Sequence, residues 1–252
     1  MGKIVAVLNQ KGGVGKTTST INIAAFLAKA NKTVLVIDLD PQGNATSGLG
    51  LEKNDLDATI SEVLLGSATL DRAIKELNNG VAIVPANANL AGTELALVEK
   101  ANREHSLKSA LGDVVYDYVL IDCPPALGVL TINALTAADH VLIPVQAEYY
   151  ALEGLSQLLG VIQMVRGGLN PQLELLGVVV TMYDGRTSLS DSVYSELKKH
   201  FAGKVFETVV PRNVRLAEAP SYGKSIADHD KWSKGARAYK NITKEFERRL
   251  RI

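Results

Sequence analysis

Short apolar runs alternate along the chain with longer segments in which apolar and polar residues are mixed. Seven apolar runs are predicted to be β-strands: Ile4–Leu8, Thr33–Ile37, Val81–Val84, Tyr118–Ile121, His140–Pro144, Leu175–Thr181 and Val205–Val209. Seven mixed segments are predicted to be helices: Lys16–Ala30, Thr59–Leu65, Leu90–Leu111, Val129–Ala137, Ala151–Arg166, Leu189–His200 and Ser233–Leu250. Continuously apolar strands are typical of a sheet that is covered on both faces. The pattern therefore predicts an α/β fold in one domain over residues 1–252, a doubly wound, mostly parallel sheet with helices on both faces.

The composition narrows the class of protein. A hydrophobic share of 46% with 21% charged residues excludes a disordered chain. No apolar window reaches the roughly 18 residues that a membrane span needs, and the first apolar run, Ile4–Leu8, is too short for a secretory signal. The single cysteine, Cys123, excludes a disulfide framework and an intrachain thiolate cluster, and the four histidines lack metal-ligand spacing. We therefore expect a globular, cytoplasmic protein.

Charge is unevenly distributed although it sums to zero. Residues 1–184 contain 12 Lys+Arg and 19 Asp+Glu, a net charge of −7, whereas residues 185–252 contain 15 and 8, a net charge of +7. Segregation of this kind favours a basic face for a polyanion such as nucleic acid. An ordinary solvated helical surface is the alternative.

A glycine-rich loop lies between the first predicted strand and the first predicted helix. Glycines let the backbone N–H groups of such a loop converge on an anion at a helix N-terminus. Lys16 is placed to reach the β- and γ-phosphates of a nucleotide, and the Thr17 hydroxyl is placed to ligate Mg²⁺. The usual G-x-x-x-x-G-K-[ST] pattern fails at its first glycine, where Gln10 stands, but a second lysine, Lys11, follows. The predicted nucleotide-binding residues here are Lys11, Gly12, Gly13, Val14, Gly15, Lys16, Thr17 and Thr18.

Four stretches together resemble a known family. Lys11–Thr18 resembles the deviant Walker A motif of the ParA/MinD superfamily, Val34–Asn44 its second acidic motif, and Tyr118–Pro125 its Walker B strand. Val210–Ser221 resembles the late motif of Soj-type chromosome-partitioning ATPases, and this motif discriminates them from MinD and metabolic relatives. The resemblance extends from Ile4 to about Lys240.

The resemblance implies catalytic and metal-binding roles. Lys16 and the loop backbone neutralise phosphate charge, and Asp40 positions or activates the attacking water. Thr17 and, through water, Asp122 hold Mg²⁺, while Asp38 supports the metal and the adjoining segment. Asp38 and Asp122 follow apolar strands, at the edge where doubly wound folds bind ligands.

The resemblance also implies contacts with a second subunit and with the adenine base of the nucleotide. Lys11 is expected to cross to the phosphates of the partner's nucleotide in an ATP-sandwich homodimer, and it is therefore counted as catalytic with Lys16 and Asp40. Pro211 and Asn213 are expected to line the adenine. A helix N-cap is the competing interpretation of Asn213.

The basic part of the chain is expected to contact DNA. In the family that the chain resembles, arginines at the places of Arg186 and Arg215 bind duplex DNA non-specifically, and surface solubility or a protein contact is the alternative. Phosphate contacts suffice for such binding. Six lysines and one arginine could extend the basic surface around these two arginines: Lys198, Lys199, Lys204, Lys224, Lys240, Lys244 and Arg248. No helix-turn-helix precedes the first strand, so binding to a specific operator is not expected.

The function implied is that of a nucleotide switch in chromosome or plasmid segregation: a slow ATPase that dimerises on ATP, binds the nucleoid, and is stimulated by a ParB-like partner. Positioning of another cargo, a protein microcompartment or chemoreceptors, is an alternative. A MinD-like membrane regulator is another, with Phe246, Leu250 and Ile252 as a faint amphipathic helix, but stable membrane association is not expected. The lone Cys123 disfavours an iron–sulfur reductase, and the late motif disfavours an amide-forming synthetase.

One segment departs from the family pattern. Residues 225–230 lack the usual proline and apolar stretch, and Trp232 stands where a small or polar residue is usual. A tryptophan most often packs in a core, so Trp232 is predicted to be a buried anchor.

Overall fold

The computed structural model describes residues 2–112, 114–148 and 153–251. Its strands are β1 (Lys3–Val7), β2 (Val34–Asp38), β3 (Lys75–Glu76), β4 (Val81–Val84), β5 (Tyr118–Asp122), β6 (His140–Gln146) and β7 (Glu174–Thr181). They form one sheet in the order β3-β4-β2-β5-β1-β6-β7. Every neighbouring pair is parallel except β3 with β4.

Helices connect successive strands and form the C-terminus of the described chain. They are α1 (Lys16–Lys29), α2 (Asn44–Gly48), α3 (Ile60–Leu65), α4 (Leu70–Ala73), α5 (Asn89–Val98), α6 (Ser106–Leu111), α7 (Val129–Ala137), α8 (Glu153–Gly168), α9 (Ser188–His200), α10 (Val214–Glu218), α11 (Ile226–His229) and α12 (Lys234–Leu250). Short 3₁₀ turns cover Arg103–His105 and Ala219–Tyr222. The first two residues of the predicted helix Ala151–Arg166 lie outside the described residues. The patterns did not indicate the short elements β3, α2, α4, α10 and α11.

Two apolar cores lie on opposite faces of the sheet. Successive residues of β1 alternate between them: Ile4 and Ala6 pack in one, Val5 and Val7 in the other. Helices α3 to α9 cover the first face, whereas α1, α2 and α10 to α12 cover the second. This arrangement confirms the predicted α/β fold, a doubly wound sheet with helices on both faces.

The predicted strand Val205–Val209 is wrong. Only an isolated parallel bridge joins Val205 to Val178 of β7. The guanidinium of Arg249, from α12, donates to the carbonyls of Lys204 at 3.1 Å and Val205 at 2.8 Å. The Lys204 carbonyl and the Phe206 N–H also bond to Val178 of β7, at 2.9 and 2.8 Å, but the next N–H, that of Glu207, donates to the Glu245 carboxylate of α12 at 3.1 Å. Regular pairing with β7 therefore does not continue along the segment.

The predicted helix Leu90–Leu111 is two helices, α5 and α6. Asn102 between them has φ of 55°, a left-handed conformation that interrupts a helix. The Asn133 side chain accepts a hydrogen bond from the Leu107 N–H at 3.0 Å and thereby anchors the start of α6. The apolar periodicity continues through this break because both helices pack on the same face of the sheet.

The prediction that Trp232 is a core anchor is also wrong. Trp232 is 79% exposed. It lies just before α12, where Ser233 caps the helix by accepting from the Ala236 N–H at 3.0 Å. The Trp232 N–H donates to Asp230 Oδ1 at 3.2 Å, so this segment forms a tight turn at the surface.

Helix α12 is part of the core. Phe246 is fully buried and Leu250 is 7% exposed, so the two described residues of the membrane-helix alternative pack against the sheet. Ile252, the third, lies outside the described residues. Among the described residues, no helix combines the length and apolar character needed to cross a membrane.

Candidate functional site

The loop after β1 lies at the carboxyl edge of the parallel strands. The register pairs Val7 of β1 with Asp122 of β5, and Asp122 in turn with Asp38 of β2. Both predicted acidic residues therefore end neighbouring strands beside the glycine-rich loop. Doubly wound sheets bind ligands at this edge.

The loop conformation leaves backbone donors exposed to an anion. Gly13 and Gly15 have φ of 73° and 90°, values that favour glycine. A Cβ at Gly12 or Gly13 would meet no heavy atom within 4 Å, so the space over the loop is open. Gly15 precedes α1, which begins at Lys16 without a side-chain cap. Its first N–H groups are therefore available to phosphate oxygens.

Two side chains that sequence analysis missed fix this loop. Asn9 donates to the Pro144 carbonyl at 2.8 Å and accepts from the Lys11 N–H at 3.0 Å. The Thr181 hydroxyl donates to the Val14 carbonyl at 2.7 Å, which ties the loop to the end of β7. Asn9 could have been noticed because it directly precedes the motif. Thr181 lies far along the chain and has no local signal.

A cavity of about 400 Å³ lies over the loop and contains most of the predicted nucleotide residues. Lys16 Nζ is 3.2 Å from the Lys11 carbonyl oxygen, and burial lowers the pKa of Lys16 while Asp122 and Asp40 oppose that shift. Val14 is buried beneath the loop and does not line the cavity. The lining residues are Gly12, Gly13, Gly15, Lys16, Thr17, Thr18, Ile21, Asp40, Gln42, Asn44, Ser47, Pro125 and Pro220.

Asp122 is fully buried beside the start of α1. Its carboxylate accepts from the Thr17 hydroxyl at 2.7 Å and from the Thr20 hydroxyl at 3.2 Å. Burial raises the pKa of Asp122, and the nearby carboxylate of Asp38 raises it further. A buried anion beside a hydroxyl is suited to a cation.

Asp38 holds the segment that follows β2. Its carboxylate accepts from the Thr46 N–H at 2.8 Å, the Thr46 hydroxyl at 2.7 Å and the Asp40 N–H at 3.2 Å. Burial raises the pKa of Asp38, an effect that these hydrogen bonds oppose. Asp40 in turn accepts from the Gln42 N–H at 2.9 Å and lines the cavity. The two aspartates thus have different tasks: Asp38 anchors α2, and Asp40 faces the ligand space.

The oxygen donors near Asp122 fit a magnesium ion. The Thr17 hydroxyl and a carboxylate are hard ligands, and Mg²⁺ commonly combines such groups with substrate phosphates. Within the described ranges, no group of three or more His, Cys, Asp or Glu residues is arranged to hold a metal without such help. Both oxygens of Asp38 already accept hydrogen bonds, which gives it a supporting position.

The Lys11 side chain is directed away from its own cavity. Lys11 Nζ lies 2.6 Å from Glu148 Oε2, and the two side chains are 46% and 44% exposed. Glu148 also accepts a hydrogen bond from Gln146. The two predicted catalytic lysines are therefore separated, with Lys16 inside the cavity and Lys11 at its rim. Glu148 was not predicted, because 137 residues separate it from Lys11.

A second cavity of about 210 Å³ adjoins the first and shares Gly15 and Thr18 with it. Pro211 and Asn213, the two residues predicted to line the adenine, both line it. The Asn213 side chain also accepts from the Leu216 N–H at 3.3 Å and so caps α10. The competing N-cap interpretation is therefore correct, and it leaves Asn213 at the cavity wall. The residues predicted to bind the phosphates and those predicted to line the adenine thus lie in two adjoining cavities.

A larger cavity, about 610 Å³, lies at the opposite edge of the sheet, near Lys3, Thr33 and Tyr118. It contains none of the predicted site residues. It lies at the amino ends of the strands, away from the edge where this class of fold binds ligands.

Comparison with known proteins identifies the family. A family model described as an AAA domain matches residues 2–175. The chain is 54% identical to the sporulation initiation inhibitor protein Soj of Bacillus subtilis, over 97% of this chain and 98% of that protein. It is 50% identical to the chromosome partitioning protein ParA of Myxococcus xanthus, over 99% of this chain and 89% of that protein. The chain belongs to the Soj/ParA family. It is accordingly an ATPase of the partition class, as the four motifs predicted.

A solved structure similar to this Soj/ParA chain contains a nucleotide. The protein described as cobyrinic acid a,c-diamide synthase from Mycobacterium smegmatis, with bound ADP and magnesium, is 39% identical, with a TM-score of 0.88. The match covers 100% of this chain and 96% of that one. Nucleotide and magnesium are therefore bound by a protein of the same fold and closely related sequence.

The two predicted DNA-contact arginines of this Soj/ParA chain lie outside both cavities and at the surface. Arg186 is 88% exposed and forms a bidentate pair with Asp184, at 2.9 and 2.7 Å. Arg215 is 57% exposed, with Glu218 at 2.9 Å and Asp230 at 3.7 Å. Exposed pairs contribute little stability, so a phosphate can replace these carboxylates at small cost.

Proposed function

We propose that this chain is an ATP-dependent dimerising switch for chromosome or plasmid segregation. The observation that supports this most is the separation of its two loop lysines. Lys16 lies within the phosphate cavity, whereas the half-exposed Lys11 lies at the rim against Glu148. A lysine at the rim is placed to serve a nucleotide held by a second subunit.

The proposed substrate is ATP with Mg²⁺. Residues 12–18 and Lys16 bind the phosphates through backbone N–H groups and the ammonium, and Thr17 with Asp122 holds the metal, supported by Asp38. Magnesium, when bound, neutralises phosphate charge and fixes the orientation of the phosphates. The adjoining cavity, with Pro211 and Asn213 in its wall, takes the adenine.

Hydrolysis needs an oriented water and compensation of the charge on the phosphates. Asp40 lines the cavity and is placed to orient the water, and Lys16 supplies one cation in the same subunit. Lys11 of the second subunit supplies another when two ATP-bound subunits meet. ATP thereby acts as the bridge of the homodimer, and hydrolysis by one subunit alone is slow.

The proposed partners are non-specific duplex DNA and a ParB-like activator. Arg186 and Arg215 are exposed in the part of the chain that has a net charge of +7. Non-specific DNA affinity depends mainly on phosphate contacts, which such arginines provide. The ATP-bound dimer is therefore placed on the nucleoid, and the activator releases it by stimulating hydrolysis.

Three alternatives have weaker support. Positioning of another cargo by the same switch uses the same site, and the cargo depends on the activator. A MinD-like membrane regulator loses its proposed anchor, because Phe246 and Leu250 are in the core. An amide-forming synthetase, the activity in the name of the Mycobacterium smegmatis protein, is less consistent with the two relatives that are more identical to this chain.

Fluorescence anisotropy of labelled duplex DNA tests the proposal. Protein with a non-hydrolysable ATP analogue and Mg²⁺ should bind DNA of unrelated sequences equally, and affinity should fall steeply with salt. Protein with ADP should bind much more weakly. Arg215→Glu should lose DNA binding while still forming ATP-dependent dimers. Equal binding with ADP and ATP, or binding insensitive to salt, would contradict the proposal.

A further inference from the structure

Three large apolar side chains are exposed together in the basic part of the molecule. Val214, Tyr222 and Trp232 are 71%, 65% and 79% exposed. They belong to α10, to the 3₁₀ turn that follows it and, beyond α11, to the loop before α12. Exposed apolar groups that lie close together usually mark a contact surface.

Contacts link the segments that contain Tyr222 and Trp232 to Arg215, and Val214 directly precedes Arg215 in the chain. The Trp232 N–H donates to Asp230, whose carboxylate lies 3.7 Å from the Arg215 guanidinium. Glu218 pairs with Arg215 at 2.9 Å and lies 3.7 Å from His229. Tyr222 stacks on the same His229 with ring centroids 4.9 Å apart.

The Trp232 ring also has a cation beside it. Lys231 Nζ is 5.4 Å from the ring centroid. Neither side chain has an apolar partner to bury it, since both are exposed. The indole is thus held next to positive charge and open to solvent.

A basic stripe extends from Trp232 along α12. Lys234, Arg237, Lys244 and Arg248 follow one another at spacings of 3, 7 and 4 residues, which places them on one side of the helix, and all four are exposed. From Lys234 to Arg248 the stripe is about 21 Å long at 1.5 Å rise per residue. It is long enough to follow several phosphates of a duplex.

The acidic residues of α12 do not interrupt this stripe. Glu245 is buried and pairs with Arg249 at 2.7 Å. Glu247 is largely buried and lies 3.6 Å from Arg251. Beside the stripe, the exposed Glu207 lies 3.8 Å from Arg248 at its far end. The exposed side of the helix itself is therefore positive, which favours a polyanion over a protein surface of mixed charge.

We propose that Trp232 is an apolar contact to duplex DNA, at the end of a basic surface formed by Arg215, Lys231 and the α12 stripe. The proposal rests on the proposed DNA binding and adds a second kind of contact to it. Phosphate contacts account for the salt-dependent part of the affinity. An aromatic or aliphatic side chain adds a salt-independent part by inserting into the minor groove.

Trp232 is the only tryptophan of the chain, so its fluorescence reports this contact without labelling. Protein with a non-hydrolysable ATP analogue is titrated with duplex DNA while labelled-DNA anisotropy records binding independently. We expect the Trp232 emission to change as DNA saturates the protein, and acrylamide quenching to fall at least twofold.

Variants separate the apolar contact from the ionic ones. Trp232→Ala should weaken duplex binding about tenfold without changing the salt slope, and Trp232→Phe should retain more affinity. Lys244→Ala should reduce the salt slope by about one phosphate contact. Leu95→Ala is the matched control, because Leu95 is 74% exposed outside the basic part of the chain and should not affect DNA binding.

Four results would overturn the inference. DNA binding with unchanged emission and quenching would overturn it while leaving the proposed function intact. Protection of Trp232 by single-stranded DNA but not by duplex would overturn the choice of duplex. Protection by an acidic protein partner alone would assign the surface to that partner. No DNA binding in any nucleotide state would overturn the inference and the proposed function together.

Discussion

The two aspartates that end β2 and β5 are buried side by side. Burial raises the pKa of both, the Asp38 carboxylate raises the pKa of Asp122 further, and the Asp40 carboxylate raises that of Asp38. Two neighbouring buried charges oppose folding unless a cation compensates them. Lys16 lies close but is itself disfavoured by burial in its charged form. The negative charge of these carboxylates therefore favours binding of a metal ion with its nucleotide. Without the ion and the nucleotide, the same charge lowers the stability of the folded protein.

Asp122→Asn should therefore stabilise the nucleotide-free protein. Because the pKa of Asp122 is higher in the folded than in the unfolded state, the folded state binds more protons, and stability falls as pH rises above about 4 through the folded pKa. Thermal unfolding at pH 7 should show a Tm a few degrees above wild type, and a smaller decline of Tm between pH 5 and 8.

Asp117→Asn is a control variant that should change Tm in the opposite direction. Hydrogen bonds from Thr33 lower the pKa of Asp117, so this charge favours folding above its unfolded pKa, and its removal should lower Tm slightly. ATP with Mg²⁺ should raise the Tm of wild type and of Asp117→Asn but not that of Asp122→Asn. A wild-type response of Asp122→Asn to nucleotide would contradict the metal assignment.

Asp40→Ala should separate nucleotide binding from turnover. Asp40 lines the cavity but makes its hydrogen bonds within its own segment, so its loss leaves the phosphate loop in place. We expect steady-state ATP hydrolysis to fall about a hundredfold or more, with ATP binding retained. ATP-bound dimers should then persist longer than in wild type. Hydrolysis at the wild-type rate would remove Asp40 from the mechanism.

At the scale of elements, local sequence signals predicted most of the sheet and failed where long-range contacts decide. Continuous apolar runs identified β1, β2, β4, β5, β6 and β7, because a strand buried on both faces must be apolar throughout. The segment Val205–Val209 is not a strand, since its pairing with β7 is not regular beyond Phe206 and Glu245 and Arg249 of α12 bond its backbone. The break at Asn102 and the exposure of Trp232 likewise depend on local turns that periodicity does not record.

The role of α12 in holding the segment before Val205 can be tested directly. Arg249 is 15% exposed and donates to the carbonyls of Leu176, Gly203, Lys204 and Val205. Arg249→Ala should destabilise the protein by about 2–4 kcal/mol, because it also removes the cation that pairs with the buried Glu245 carboxylate. The neighbouring Arg248 is exposed, and Arg248→Ala should change stability by less than about 0.5 kcal/mol. Denaturant unfolding measures both, and similar losses in the two variants would contradict this role.

For the molecule as a whole, the glycine-rich loop could be recognised as a candidate nucleotide-binding loop from the sequence, because its residues are contiguous. The supporting residues could not, because Thr181 and Glu148 reach the loop only through the fold. Residues at the places of Arg186 and Arg215 were identified by resemblance, and the structure places both at the surface. The net charge of zero conceals an acidic part with the nucleotide site and a basic part with the proposed DNA surface.

In the proposed switch, ATP joins two subunits through Lys11. Multi-angle light scattering with a non-hydrolysable ATP analogue and Mg²⁺ measures this directly for wild type and for Lys11→Ala, after a fluorescent analogue has shown that both bind nucleotide. Wild type should double its mass from the 27.0 kDa monomer, and Lys11→Ala should remain monomeric. A wild-type protein that stays monomeric with the analogue, or a Lys11→Ala variant that dimerises as well as wild type, would contradict the account.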